Sequence, residues 1–313
     1  MLAAHADWSI DAGKRFICIA TARRGGWLID APKAVGPVGS LLSQLRERAH
    51  GAPVALGLDV PLGLPRCYAS QLKGPRDFLE FLRNLQPDSM FFDVCPTLDL
   101  VSLQRPFYPT RGIKGMTRMA HARALGMADA AGLSRLCDRA TSKRPAGAPI
   151  FWTLGANQTG KAAISAWRDM ILPGLAADTL RLWPFEGDLR ALLAPDAIVC
   201  AETYPAESLR QLGLELSGSK RRQTDRAALS DALHGGLGKL GAEPSADLAA
   251  LIRDGFGNAA SGEDQLDSLL GVLNVIAVVD GYRSDSAPAD QWIKHWEGWV
   301  LGQSEMPLSA ERH

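Results

Sequence analysis

Apolar residues near the N-terminus come in short dense runs. The segments "MLAAHADWS" (1–9), "KRFICIATA" (14–22) and "GWLIDAP" (26–32) are rich in strand formers, and the turn-forming Asp11-Ala12-Gly13 separates the first two. This pattern predicts a meander of three strands. From Val38 to His50, "VGSLLSQLRERAH" spaces its apolar residues at helical intervals, and "VALGLDV" (54–60) returns to a strand.

Beyond residue 65 the texture changes. Helical segments such as "PRDFLEFLRNL", with Pro75 suited to a first turn, alternate with Pro/Gly-rich stretches such as "LQRPFYPTRGIKG" and "KRPAGAP". A strand-then-helix unit restarts at "DAIVCAETYPAESLRQLGL" and is followed by helical patterns in "DRAALSDALHGGL", "SADLAALIRDGF" and "EDQLDSLLGVLNVIAVVDGY". The last pattern, "DQWIKHWEGWV", predicts a helix with Trp292, Trp296 and Trp299 on one core-facing side. The expected organisation is an α/β core in two parts, residues 1–65 and 196–302, around an inserted, mostly helical region, 66–195, with a tail over 303–313.

Two of the predicted strands end in an acid. In "VALGLDVPLGLP" a buried-strand run meets Asp59 and then Pro61, and in "AIVCAETYP" the same grammar gives Glu202 and then Pro205. Singly, such acids make turns or helix caps; as a pair at strand exits they stand where ligands gather in open α/β sheets. A third group lies on the long apolar helix. Ser261 and Asp264 have capping-box spacing, but Asp267 lies beyond the first turn, and Asp264, Asp267, Gly271 and Asn274 form one stripe at i, i+3, i+7 and i+10. Two carboxylates one turn apart repel, and a divalent cation relieves that repulsion. Asp7, at the end of the first strand, is the fourth candidate, with Asp11 as its rival.

The words "DWS", "LGLDVPLGLP", "AETYPA" and "DQLD", in that order from residue 7 to 267, resemble the predicted nucleases called domain of unknown function four-two-nine, a family assigned to the ribonuclease H-like fold. In that superfamily, which includes Holliday-junction resolvases and retroviral integrases, acids on the first strand, the fourth strand and the last helix bind two divalent metals. The resemblance implies a ribonuclease H-like mixed sheet and a metal site of Asp7, Asp59, Asp264 and Asp267. Glu202 matches the family's glutamate-tyrosine-proline word, as a further catalytic or orienting residue. Two Mg²⁺ or Mn²⁺ ions roughly 3.5–4 Å apart suit hard carboxylate oxygens and phosphodiester cleavage. Without metal, four such acids would be partly protonated.

Composition narrows the partners. The 313 residues are 46% hydrophobic, and 34 basic residues balance 34 acidic ones, so no whole-molecule field attracts nucleic acid or an anionic membrane. Local charge differs: Arg105 to Arg144 holds nine Lys/Arg against Asp129 and Asp138, with Phe107 and Tyr108 at its start. Such a stretch is either a solvated face or a clamp for a nucleic-acid backbone, with Arg105, Arg111, Lys114 and Arg118 as phosphate contacts. The shorter run "SGSKRRQTDR" has the same two readings. Five scattered cysteines with no C-x-x-C pair read as buried thiols in a reducing compartment, and no leader or membrane-length apolar run is present. The expectation is a cytoplasmic protein without a membrane partner.

"GANQTGKAA" (155–163) follows the apolar "PIFWTL" and opens a helical pattern, as a phosphate-binding loop would. Ala162, however, stands where the magnesium-binding hydroxyl belongs. A glycine-rich turn with Lys161 contacting a substrate phosphate fits better. The leading expectation is therefore a metal-dependent nuclease or phosphodiesterase. The alternatives are a nucleotide-dependent phosphotransferase using the Gly155–Ala163 loop and a non-catalytic binding protein on the same fold.

Overall fold

The computed structural model describes residues 1–111, 114–154 and 159–308. The chain forms two compact units, one made of Met1–Asp59, Thr179–Ser286 and Val300–Gly302, the other of Val60–Asp178, Ala287–Trp299 and the residues from Gln303. The boundary falls directly after Asp59.

The first unit contains an eight-stranded mixed sheet. Its strands are β1 (Leu2–Asp7), β2 (Phe16–Arg23), β3 (Gly26–Ile29), β4 (Lys33–Ala34), β5 (Val54–Leu58), β6 (Arg181–Leu182), β7 (Ile198–Glu202) and β8 (Ala242–Pro244). The order is β6-β7-β5-β1-β2-β3-β8, with β4 paired to β2. The meander β1-β2-β3 is antiparallel, whereas β5 and β7 run parallel to β1. All residues of β1, β5 and β7 are buried, as expected of central strands covered on both faces. This is an α/β architecture: helices flank the sheet.

Strand pairing sorts the side chains onto two faces. Ala6, Leu58, Glu202 and Ile17 share one register row, and a cavity next to Ile17 and Ile19 is walled by Leu41 and Leu45 of the Leu41–Ala49 helix. His5, Gly57, Ala201 and Cys18 share the adjacent row and face the other way. There the long helix Gly262–Val279 packs, buried through Leu266, Leu269, Leu270, Leu273 and Ile276. Contact is close because two glycines permit it. A Cβ on Gly57 would lie 2.8 Å from Val275 Cγ2 and 3.0 Å from His5 Cδ2, and one on Gly271 would overlap the His5 ring.

The second unit is built on an aromatic core. Phe91 stacks on Trp167 with centroids 6.3 Å apart and meets Phe81, Phe92 and Phe107 edge-on. The fully buried Arg135 pairs with Asp138 at 2.8 Å and donates to the Leu62 and Glu297 carbonyls.

Several expectations change. The inserted region differs from the second unit at both ends, since β6 already belongs to the sheet and Ala287–Trp299 belongs to the second unit. The pattern over 225–237 predicts one helix, yet the chain forms two, Gln223–Ala227 and Ser230–Lys239. The tryptophan helix shrinks to the turn Ile293–Glu297, with Trp292 37% exposed while Trp296 and Trp299 are buried. Cys67 is exposed and the other four cysteines are buried and free. No described helix is long and apolar enough to cross a membrane.

Candidate metal centre

Three elements of the first unit deliver the predicted acids to one end of the sheet. Asp7 ends β1, and Asp59 follows β5 with its N–H donating to Ala6 O at 3.2 Å. The prolines after Asp59 stop the strand without removing this last ladder bond. Asp264 and Asp267 come from the opening turns of the Gly262–Val279 helix. The Ser261 side chain makes no capping bond there, so the capping-box reading is replaced. Asp264 is left to the cluster.

The carboxylates act on one another. Asp7 is 8% exposed. Burial first, and then the charges of Asp59, Asp267 and Asp264, push it well above the usual carboxylate range, with Lys220 opposing. Burial and then Asp267 raise Asp59 to about 7, while Lys220 and a hydrogen bond from Asp7 pull the other way. Asp264 rises to about 6 through burial, Asp267 and Glu263. Asp267 is raised by burial and Glu263 against the charge and hydrogen bond of Lys220. Burial and the neighbouring acids thus favour the protonated form of Asp7, which is hydrogen-bonded to Asp59.

The residue that the sequence did not single out is Lys220, inside the short basic run. Its Nζ lies 2.5 Å from Asp267 Oδ1 and 2.7 Å from Oδ2. Burial acts to lower the ammonium, but Asp267, Asp59 and Glu263 outweigh it and hold it above its ordinary value. Arg226, 1% exposed, fixes the surroundings by donating to the Lys220, Gly255 and Gly257 carbonyls. One guanidinium thus ties the Lys220 turn to the loop that enters the long helix.

Glu202 is placed differently. Because Glu202 pairs with Leu58, the residue level with Asp59 on β7 is Thr203, whose N–H donates to Leu58 O at 3.0 Å. Thr203 Cγ2 approaches the Gly57 position from the helix-covered side. Asp7, Asp59 and Thr203 form one row, and Glu202 belongs to the opposite face. Its charge still raises Asp59. Thr203 is 1% exposed, and its Oγ1 has no hydrogen-bond partner among the described residues. The stripe on the long helix also divides: Gly271 receives His5, and Asn274 donates to Leu301 O at 3.0 Å. Asp11 is a turn residue, exposed and accepting from Gly13 N.

The predicted phosphate contacts all lie in the second unit. Arg111 and Lys114 are exposed. Arg118 opens the Arg118–Ala124 helix with its guanidinium 5.9 Å from the Trp152 ring centroid. Arg105 sits 3.3 Å from Asp93, and Lys161 is half-buried on the Thr159–Ala166 helix. The basic stretch is less cationic outside than its composition, because Arg135 and Arg144 are buried on Asp138 and on main-chain carbonyls. Residues 155–158 of the glycine-rich loop lie outside the described residues; Ala162 is buried in the helix that follows.

Hard carboxylate oxygens are the donor type that Mg²⁺ or Mn²⁺ takes, but among the described residues no three of these four acids bring ligand oxygens within 4.8 Å of one another. Compared with known proteins, the chain matches no family model, no curated protein and no solved structure.

Proposed function

We propose that this protein is a metal-dependent phosphodiesterase, a nuclease in the ribonuclease H-like manner, working at Asp7, Asp59, Asp264 and Asp267. The observation that carries the reading is the convergence of these acids, which except for the pair Asp264 and Asp267 are 52 to 260 residues apart in sequence, at one end of three central elements. The mixed sheet, an antiparallel meander followed by two strands parallel to the first, agrees with the mixed sheet that the resemblance implies.

Divalent ions bound by these four acids would supply an activated water and charge neutralisation at the leaving oxygen. The chain's own residues do the rest. Asp7 and Asp59 would hold the ions as carboxylates. Asp264 and Asp267 present two carboxylates from a helix whose position is set by the His5–Gly271 contact. Arg226 holds the Lys220 turn in place beside them. A nucleic-acid substrate is the class that matches this chemistry.

The direct test is Mn²⁺ titration by calorimetry, together with cleavage of single- and double-stranded DNA and RNA in Mg²⁺. Binding and cleavage in the wild type that are both lost in Asp59→Asn are expected. An Asp59→Asn protein that cleaves as fast as wild type would sink the assignment. Binding without cleavage of any substrate would instead favour a non-catalytic protein on this scaffold.

A further inference from the structure

The geometry points to Lys220 as a resident counter-ion, which neutralises the acid cluster while no divalent cation is bound, leaves Asp267 when one binds, and then offers its ammonium to a substrate phosphate. This rests on the metal reading above and extends it to a residue outside the ligand set.

The first support is the contact itself. Both oxygens of Asp267 are engaged by one Nζ, at 2.5 and 2.7 Å, and both side chains are largely buried, 19% and 13% exposed. A carboxylate held in this way cannot give its full charge to a metal, so lysine and metal compete for Asp267. The second support is how Lys220 is mounted. Its carbonyl is fixed by Arg226, and the preceding residue is fixed by a hydrogen bond from Ser219 N to Asp225 Oδ2 at 2.7 Å. The main chain is pinned, and the point charge is carried on a flexible four-carbon stem. An arginine would lack this mobility of a compact charge.

The third support is independent of the acids. Thr203 stands level with Asp7 and Asp59, 1% exposed, with an Oγ1 that has no partner among the described residues. A buried hydroxyl without a partner is costly, and its place in this row fits a site that is complete only with a further ligand present. In the metal-free protein the lysine satisfies Asp267 but does not reach that hydroxyl.

The test compares Mn²⁺ binding to wild type and Lys220→Met by calorimetry. If Lys220 is a competitor, its loss tightens Mn²⁺ binding by about tenfold or more, because the competent site no longer has to be vacated. A lysine that merely held Asp267 in position would give weaker binding when removed, and equal or weaker affinity in Lys220→Met overturns the proposal. A second measurement needs no variant. Acetic anhydride labelling of wild type, read by mass spectrometry against the exposed Lys33 and Lys239, should show Lys220 becoming several times more reactive when Mn²⁺ is added. An unchanged rate in a protein that binds Mn²⁺ overturns the proposal. Equal binding to both proteins removes this inference and leaves the metal reading standing, whereas no Mn²⁺ binding to either removes both.

Discussion

Strands β5 and β7 lie side by side, run parallel, and each lead into or end on an acid followed within three residues by proline. They nevertheless do different things. Asp59 is the first residue past β5 and shares a row with Asp7, whereas Glu202 is the last residue of β7 and pairs with Leu58, one step back. One step in a strand reverses the face. The same local sequence grammar therefore puts one acid under the long helix and the other on the far side of the sheet. Asp7 and Asp11 form a similar contrast, the first within the cluster and the second capping an exposed turn.

The largest expected effect separates Asp59 from Glu202. Asp59→Asn should lower Mg²⁺-dependent cleavage on the order of 10³-fold, about 4 kcal/mol of barrier. Glu202→Gln should stay within roughly tenfold of wild type, as for a group outside the ligand set. Steady-state rates on one substrate decide this, and equal losses in the two variants would break the contrast.

A fifth acid in the row tests the register directly. Thr203→Asp should lower the metal-free Tm at pH 8 by about 3 °C or more, which for a chain of this size corresponds to roughly 2 kcal/mol. Saturating Mn²⁺ should restore it. Calorimetric scans with and without Mn²⁺ check both halves, and an unchanged Tm would mean that position 203 is not level with Asp59.

The acids also set a pH dependence. Asp59 is raised to about 7 and Asp264 to about 6, so the folded protein binds more protons than the unfolded chain above the ordinary carboxylate pKa of about 4. Their contribution favours folding at low pH and is lost as pH rises through about 4 to 7. Burial lowers His5 to about 3 and His121 to about 4. These histidines act oppositely and favour folding increasingly up to their unfolded value of about 6.5. The difference between wild type and Asp59→Asn isolates the acid. Metal-free Asp59→Asn should be the more stable protein at pH 8, with the gap closing toward pH 5. Urea melts across that range test it.

The smallest effect belongs to Asp11→Ala. It should cost about 1 kcal/mol or less, as for a lost side-chain cap, and leave Mn²⁺ affinity unchanged.

Most long elements were legible because their periodicity extends over many residues. The meander, the Leu41–Ala49 helix and the Gly262–Val279 helix all lie where the apolar pattern places them. The strands β4, β6 and β8 have two or three residues, too few for alternation to register, and only pairing with a neighbour creates them. The cluster of Asp7, Asp59, Asp264 and Asp267 was readable as acids that interrupt apolar runs. The face of Glu202 was not, because register is a property of two strands and is written in neither alone. Lys220 was hidden for a related reason: its partner lies 47 residues away, and within "SGSKRRQTDR" it resembles the solvated Arg221 and Arg222. Arg226, in the same run, is a buried scaffold for three carbonyls.

The glycines at 57 and 271 give the acid cluster an unusual vulnerability. They act as a spacer, since the absence of two methyl groups sets how far the long helix stands off the sheet, and Asp267 lies only one turn from Gly271. A methyl at either position would wedge helix and sheet apart and lengthen every distance between the strand acids and the helix acids. Such a lesion would present in a functional screen as the loss of a ligand, in a protein that still carries them all.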